Sequence, residues 1–281
     1  MHLLKSIDDC IRWRKAQKKT LGFIPTMGAL HEGHLSLIRL SQKTCDKTIV
    51  SIFLNPTQFS ENEDFDSYPN TINQDLQKLE AENVDAVFMP AVNEMYKNNQ
   101  GDYWFDTPLA LKLEGKSRPH FFKGVTMIVH KLFKIVQPTH AVFGEKDAQQ
   151  LLIIKQMIKH NSDGIKIIAA PTIRSDAGLA LSSRNTYLNA KEIKIAHNIY
   201  LALLKIKFCL DSGEKNPTKL KNTFIKHVKQ FDAFSIDYIS IACEKSLDEI
   251  ATPINEKVLI SAAVYLNGVR LIDNLSYSPS T

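Results

Sequence analysis

A doubly wound parallel α/β sheet followed by a smaller α+β unit is the architecture that the patterning of this 281-residue chain predicts. Short apolar runs alternate with helix-like segments through the first part of the chain, as in proteins whose parallel strands are joined by crossover helices. Farther on, two amphipathic helices come together and strands follow them, the segregation expected of an α+β unit. The length suits one large domain with a smaller partner, which we set at residues 1–174 and 175–281.

The strands of the first unit are predicted over Leu21 to Ile24, Thr48 to Phe53, Ala86 to Met89, His140 to Phe143 and Ile165 to Ala169. Each is a short apolar run, the pattern of a strand buried on both faces. Helical periodicity marks Leu35 to Thr44, Ile72 to Glu82, Val125 to Val136 and Ala148 to His160. The stretch Asn98 to Gly124 breaks this rhythm with scattered aromatic and basic residues, and an irregular excursion over the sheet is expected there. Beyond about Thr186 the pattern changes to helices over Lys191 to Leu210 and Thr218 to Phe231, joined by a turn at Ser212 to Pro217. Strands over Ile236 to Ala242 and Val258 to Tyr265 complete the second unit.

Composition narrows the function classes. Basic residues number 35 against 30 acidic ones, interspersed, which is too mild a surplus to imply a nucleic-acid partner. Basic clusters at Arg12 to Lys19 and Lys215 to Lys229 have the spacing of solvated helix faces. Cys10, Cys45, Cys209 and Cys243 are scattered, without a CxxC pair or a zinc-spaced histidine, so reduced thiols and a cytoplasmic location are expected. No apolar run approaches membrane-span length, and the opening MHLLKSIDDCIRWRK lacks a signal-peptide core.

Four clusters can carry chemistry. In GFIPTMGALHEGHLSLI, Gly22 to Ile38, a strand ends, passes Gly28 and enters a helix near Gly33, so His31 and His34 stand where free backbone N–H groups bind anions. Either imidazole, protonated or as an N–H donor, can stabilise charge building on a phosphate. A capping role alone is the blander alternative. A zinc site is set aside, because HEGH spaces its histidines i to i+3 where the metalloprotease helix needs i to i+4. In SIFLNPTQF, Ser51 to Phe59, Asn55 and Gln58 follow a buried strand and are candidate ligands for a hydroxy acid or carboxylate, although NPT alone is a turn signal. In VFGEKDAQQL, Val142 to Leu151, Gly144 releases Lys146 toward nucleotide phosphates, Asp147 can hold that lysine or a magnesium ion, and Gln150 lies one turn on. EKD by itself reads equally as a surface charge pair. In SDAGLALSSRNTYL, Ser175 to Leu188, the donors Ser182, Ser183 and Arg184 suit triphosphate oxygens, though the stretch also reads as a polar linker.

Together these clusters resemble the pantoate-beta-alanine ligase family of the HIGH-motif nucleotidyltransferase superfamily. The resemblance spans nearly the whole chain: PTMGALHEGH at Pro25 to His34, NPTQF at Asn55 to Phe59, YPNT at Tyr68 to Thr71, FGEKD at Phe143 to Asp147, LALSSRN at Leu179 to Asn185 and RLIDN at Arg270 to Asn274. It implies a ligase that activates pantoate with ATP as an adenylate and then joins it to beta-alanine, releasing pyrophosphate and AMP. Met27, Gly28, Ala29, Leu30, His31, Glu32, Gly33 and His34, with Gly144, Glu145, Lys146 and Asp147, would contact ATP. Leu181, Ser182, Ser183 and Arg184 would bind phosphates, and Ile173 the adenine through its backbone. His34 is the residue such enzymes use in catalysis, with His31 and Lys146 beside it, while Gln58 and Gln150 match the pair that holds pantoate. Magnesium would arrive with ATP, held mainly by phosphates and by no protein metal site, and the family is typically homodimeric.

The sequence departs from the family in two places. Relatives carry RPGHFRGV where this chain has RPHFFKGV at Arg118 to Val125, so Phe121 replaces a histidine, His120 stands one position early and Lys123 keeps an arginine's charge. Asn70 replaces a common arginine, and in the acidic stretch that follows Asp75 remains. Two other readings compete: a nucleotidyltransferase acting on a phosphorylated substrate, which Gln58 and Gln150 disfavour, and an RNA-binding relative, for which no aromatic-basic motif is visible.

Overall fold

The computed structural model of the chain describes residues 1–61, 63–97 and 103–279. In chain order the first unit contains β1 (His2–Leu4), α1 (Ile7–Ala16), β2 (Leu21–Thr26), α2 (Glu32–Thr44), β3 (Lys47–Ile52), α3 (Ile72–Ala81), β4 (Ala86–Phe88) and α4 (Val92–Tyr96). It continues through α5 (Glu114–Ser117), α6 (Phe121–Val136), β5 (His140–Gly144), α7 (Ala148–Asn161) and β6 (Lys166–Ala170). The six strands form one parallel sheet in the order β1-β4-β3-β2-β5-β6. From β2 the chain moves outward to β3 and then returns past it to β5 on the other side. That reversal opens a crevice at the carboxyl ends of β2 and β5, where doubly wound sheets bind ligands.

The central strands of this sheet are covered on both faces, so β2, β4 and the inner parts of β3 and β5 are mainly apolar, whereas the edge strand β1 leaves His2 and Leu3 exposed. Phe23 packs in a cluster with Val129 and Phe133 of α6, while its neighbour Ile24 turns to the opposite cluster with Ile38 of α2 and Leu79 of α3. Each fully buried side chain of this size is worth about 1.5–3 kcal/mol of transfer free energy, which is what holds the frame of the site. Gly22 lies against α2, where a Cβ would fall 2.0 Å from Ser41 Oγ.

The second unit contains α8 (Ala190–Ala196), α9 (Asn198–Asp211), α10 (Pro217–Val228), β7 (Phe234–Cys243), β8 (Val258–Leu266) and β9 (Val269–Tyr277). Its strands form an antiparallel sheet, β7-β8-β9, against which Leu203, Ile206 and Phe224 of the helices pack. Arg270 on β9 joins the two units by pairing with Glu114 of α5 at 2.6 and 3.0 Å and with Asp237 of β7 at 2.6 and 3.1 Å.

Several elements differ from expectation. α1 hides among basic residues because only a narrow stripe, Cys10 with partly buried Ile7 and Trp13, faces the core. The helix expected from Lys191 to Leu210 breaks at His197 into α8 and α9. β9 is an additional strand, entered through Asn267 and Gly268, which at φ 46° and 89° form the tight hairpin turn that Asn-Gly pairs favour. Of the irregular excursion, residues 98–102 lie outside the described residues; beyond them the chain forms a single-turn helix at Pro108–Leu111 and α5, and α6 starts at Phe121, four residues early. Among the described residues no helix is long and apolar enough to cross a membrane, and all four cysteines are unpaired.

Candidate active site

The loop from β2 to α2 is bent by two consecutive left-handed residues, Gly28 at φ 87° and Ala29 at φ 51°. Glycine accepts this backbone, whereas for alanine it costs about 1–2 kcal/mol. Asp75 of α3, fully buried, offsets that cost by accepting the N–H groups of Ala29 and Leu30 at 2.9 and 2.8 Å and the hydroxyl of Thr71 at 3.0 Å. Lys78, one turn on, donates to the Leu30 carbonyl at 2.6 Å.

This loop delivers His31 as the N-cap of α2. The Gly33 N–H donates to His31 Nδ1 at 3.2 Å, and the His31 N–H donates to His34 Nδ1 at 3.3 Å, a capping box made of two imidazoles. Because a backbone N–H can only donate, both Nδ1 atoms are acceptors, and each neutral ring carries its proton on Nε2. The rings lie 4.1 Å apart between centroids. Burial, followed by the nearby Lys146 charge, lowers the His31 pKa to about 4. Burial and the neighbouring His31, with Lys146 and Lys78 behind them, hold His34 well below the ordinary imidazole range. Both histidines are therefore neutral N–H donors at neutral pH, which narrows the sequence reading that left protonation open.

Gln58 sits at the end of a single helical turn, Pro56–Gln58, capped by Asn55. Asn55 is 1% exposed, donating to Gln58 Oε1 at 3.0 Å and to the Gly124 carbonyl at 3.2 Å while accepting from Tyr96 and Thr57. Its side chain is thus engaged inside the protein and holds the Gln58 turn. Helix α6 closes on that turn so tightly that a Cβ at Gly124 would lie 2.4 Å from the Thr57 carbonyl oxygen. The Gln58 amide approaches Met27 Sδ at 2.9 Å, linking this turn to the first loop.

Lys146 stands where β5 gives way to α7, with Asp147 Oδ1 3.7 Å from its ammonium. Across the crevice, Ser182 caps the turn Ser183–Tyr187, and Ser183 donates to the Ala29 carbonyl at 3.2 Å. Two guanidiniums face the same space, each already holding a carboxylate. Arg184 grips Asp64 at 2.6 and 2.9 Å, and Arg118 grips Glu63 at 2.5 and 2.6 Å while its Cζ stacks 3.8 Å from the Phe121 ring. Burial opposes the charge of Arg184, but the Asp64 carboxylate outweighs it and raises the pKa.

These groups enclose a cavity of about 240 Å³ lined by Met27, His31, Gly33, His34, Asn55, Gln58, Gly144, Lys146, Asp147, Gln150, Ile173, Leu181, Ser182, Ser183 and Arg184. It adjoins a second space of about 620 Å³ reaching the β7-β8-β9 sheet, with Arg118, Phe121, Lys146, Asp147, Gln150, Ser182 and Arg184 common to both. Five expected contact residues are not on the cavity wall. Gly28, Ala29 and Leu30 supply the loop backbone that Asp75 holds, Glu32 is exposed and pairs with Arg39, and Glu145 is exposed. Sequence reading gave no role to Asp64, Lys78 or Asn274; Asn274 carried a signal in its RLIDN motif, and Asp64 in the acidic run before Tyr68.

A family model described as pantoate-beta-alanine ligase matches residues 2–276. The chain belongs to the pantoate-beta-alanine ligase family. It is 43% identical to the pantothenate synthetase of Pseudothermotoga lettingae, with 98% of each chain covered. To that of Fervidobacterium nodosum it is 44% identical, covering 98% of this chain and 99% of the other. Its structure matches the pantothenate synthetase of Thermus thermophilus at a TM-score of 0.92 and 34% identity, over 98% and 99% of the two chains. The Francisella tularensis pantoate-beta-alanine ligase, solved with beta-gamma ATP and beta-alanine, matches at 0.80 and 36%, over 98% and 97%. The chain is accordingly a ligase with the α/β fold of these relatives.

Within that family the departures acquire positions. Phe121 lines the cavity as an apolar wall under Arg118, whereas His120 is exposed at the start of α6 and is absent from the lining, so it does not replace the missing histidine. Lys123 places its ammonium 3.5 Å from the Trp104 ring centroid, so the charge it keeps is spent on that ring. Asn70 is exposed.

Proposed function

We propose that the chain condenses pantoate with beta-alanine through a pantoyl-adenylate intermediate, using ATP and releasing pyrophosphate and then AMP. The product, pantothenate (vitamin B5), would feed coenzyme A biosynthesis. The observation that carries this reading is the pair of imidazoles of His31 and His34, their Nδ1 atoms accepting backbone N–H groups at a helix N-terminus, in one cavity with Lys146, Gln58 and Gln150.

In the first step a pantoate carboxylate oxygen bonds to the α-phosphorus as the bond to pyrophosphate breaks. Charge moves onto phosphate oxygens, which neutral imidazole N–H groups, the Lys146 ammonium and the α2 N-terminus are placed to stabilise. Gln58 and Gln150 suit a hydroxy acid because their amides donate to a carboxylate and accept from hydroxyls. In the second step the beta-alanine amine attacks the acyl carbon, AMP departs and the amine proton is lost. No protein nucleophile is required, so positioning and charge carry the rate.

The residues present fit a magnesium ion that enters on the triphosphate. Among the described residues no group of three or more histidines, cysteines and carboxylates gathers to hold a metal, and Asp75 has both oxygens on backbone N–H groups. Asp147, on the cavity wall, is the carboxylate that would reach such an ion. Bound with ATP, magnesium would neutralise phosphate charge. We extend the reading to a cytoplasmic homodimer that needs neither nucleic acid nor membrane. Formation of AMP and pyrophosphate that requires both pantoate and beta-alanine tests the function; ATP turnover indifferent to pantoate would exclude it.

A further inference from the structure

Asn274 lies on β9, in the antiparallel sheet, opposite Ser261 of β8. Its side chain leaves that sheet and reaches the parallel one: Nδ2 donates to the Glu145 carbonyl at 3.1 Å and to the Lys146 carbonyl at 2.8 Å. These two carbonyls belong to the peptide planes on either side of the Lys146 Cα. A single amide therefore pins both planes, and with them the φ and ψ that set the direction in which the Lys146 side chain departs.

The hold on Asn274 is itself rigid. Its own N–H donates to Asp273 Oδ1 at 2.8 Å, and Asp273, 4% exposed, takes both arms of Arg174 at 2.6 and 2.8 Å. Arg174 also donates to the Gly178 carbonyl at 3.1 Å and stacks 3.6 Å from the Tyr200 ring centroid. A planar guanidinium gripping a buried carboxylate in two places fixes orientation as well as distance.

We propose that Asn274 is a positioning residue for Lys146, so that the β7-β8-β9 sheet sets the aim of the ammonium that serves the phosphates. The proposal rests on the role given to Lys146 in the preceding section. A helix-start turn with exposed Glu145 and Asp147 has little packing of its own to fix it, and the cross-sheet amide supplies the constraint. Asparagine is suited to this because it donates two hydrogens from one nitrogen; aspartate, of the same shape, would set an oxygen against two carbonyl oxygens.

Steady-state kinetics of the full-length enzyme test this with Lys146→Ala, Asn274→Ala, Asn274→Asp and the Lys146→Ala/Asn274→Ala double variant. Asn274→Ala should lower kcat/KM for ATP about tenfold or more, in the range expected of a displaced catalytic group, with KM for pantoate within about twofold of the parent. Asn274→Asp should lose at least as much, and the double variant should be no worse than Lys146→Ala alone. Hydrogen exchange at the 145–148 amides should rise in Asn274→Ala. Losses that add in full on the Lys146→Ala background, an Asn274→Asp enzyme equal to the parent, or unchanged exchange would each overturn the inference alone. A Lys146→Ala enzyme with normal turnover would instead overturn the assigned role of Lys146.

Discussion

Arg184 and Asp64 meet through two hydrogen bonds of 2.6 and 2.9 Å, so the guanidinium expected to grip a triphosphate is already gripping a carboxylate. The pair is partly shielded, with about a quarter of the arginine side chain and a fifth of the aspartate exposed, at 28% and 19%. On the proposed reading, ATP would compete with Asp64 or share Arg184 with it. We predict that Asp64→Asn lowers KM for ATP about fivefold, the effect of releasing about 1 kcal/mol of ion pairing, and reduces stability by a similar amount. Steady-state kinetics and urea denaturation measure the two. A raised KM would mean that Asp64 orients Arg184 for the phosphates.

The histidine geometry makes a spectroscopic prediction. Nitrogen NMR of the free enzyme at pH 7 should show Nδ1 unprotonated and Nε2 protonated in both His31 and His34; an imidazolium signal at either ring would contradict the neutral pair. The fold depresses both pKa values, His31 to about 4. Their contribution to stability is then complete above about pH 6.5, where the unfolded residues are also neutral, and is lost as pH falls, for His31 as pH approaches about 4. His31→Asn should flatten that dependence in denaturation curves. His34→Ala should slow adenylate formation by roughly 10²-fold or more, as loss of a transition-state donor does, and near-normal turnover would remove His34 from the mechanism.

Asp75 is expected to act through the loop alone. Asp75→Asn keeps the shape but cannot accept at both oxygens, leaving an N–H of Ala29 or Leu30 unsatisfied at a buried site. A loss of about 1–3 kcal/mol in denaturant stability is predicted, with a fall in kcat as His31 and His34 shift. Undiminished stability would show that the left-handed turn at Gly28 and Ala29 holds itself.

Gln58→Ala should raise KM for pantoate by roughly 10- to 100-fold, the effect of removing one hydrogen bond to a charged ligand, and leave KM for ATP nearly unchanged. Equal effects on both substrates would place Gln58 in scaffolding with Asn55.

The inner strands of the parallel sheet were legible because they are buried on both faces, so that neighbours such as Phe23 and Ile24 are both apolar whichever side they serve, whereas the three-residue edge strand β1, with His2 and Leu3 exposed, had no such pattern. The HIGH-type loop was legible because two glycines and two histidines fall at one strand end. What stayed hidden depends on residues distant in sequence. Asp75 holds Ala29 from 46 positions away, Asp64 reaches Arg184 across 120, and Asn274 reaches Lys146 across 128. No local periodicity records such pairings. Asn55 is expected as a ligand because it stands at a strand end; it does line the cavity, while its amide is also engaged with Gln58 and Gly124, pairings that no local pattern records.

Isotope transfer tests the adenylate route directly. Pantoate labelled with ¹⁸O in its carboxylate is incubated with ATP, beta-alanine and the enzyme, and the nucleotide product is analysed by mass spectrometry. Attack of the carboxylate on the α-phosphorus predicts AMP carrying one ¹⁸O atom, left behind when the amine takes the acyl group. Label appearing in inorganic phosphate alongside ADP, or unlabelled AMP, would contradict it.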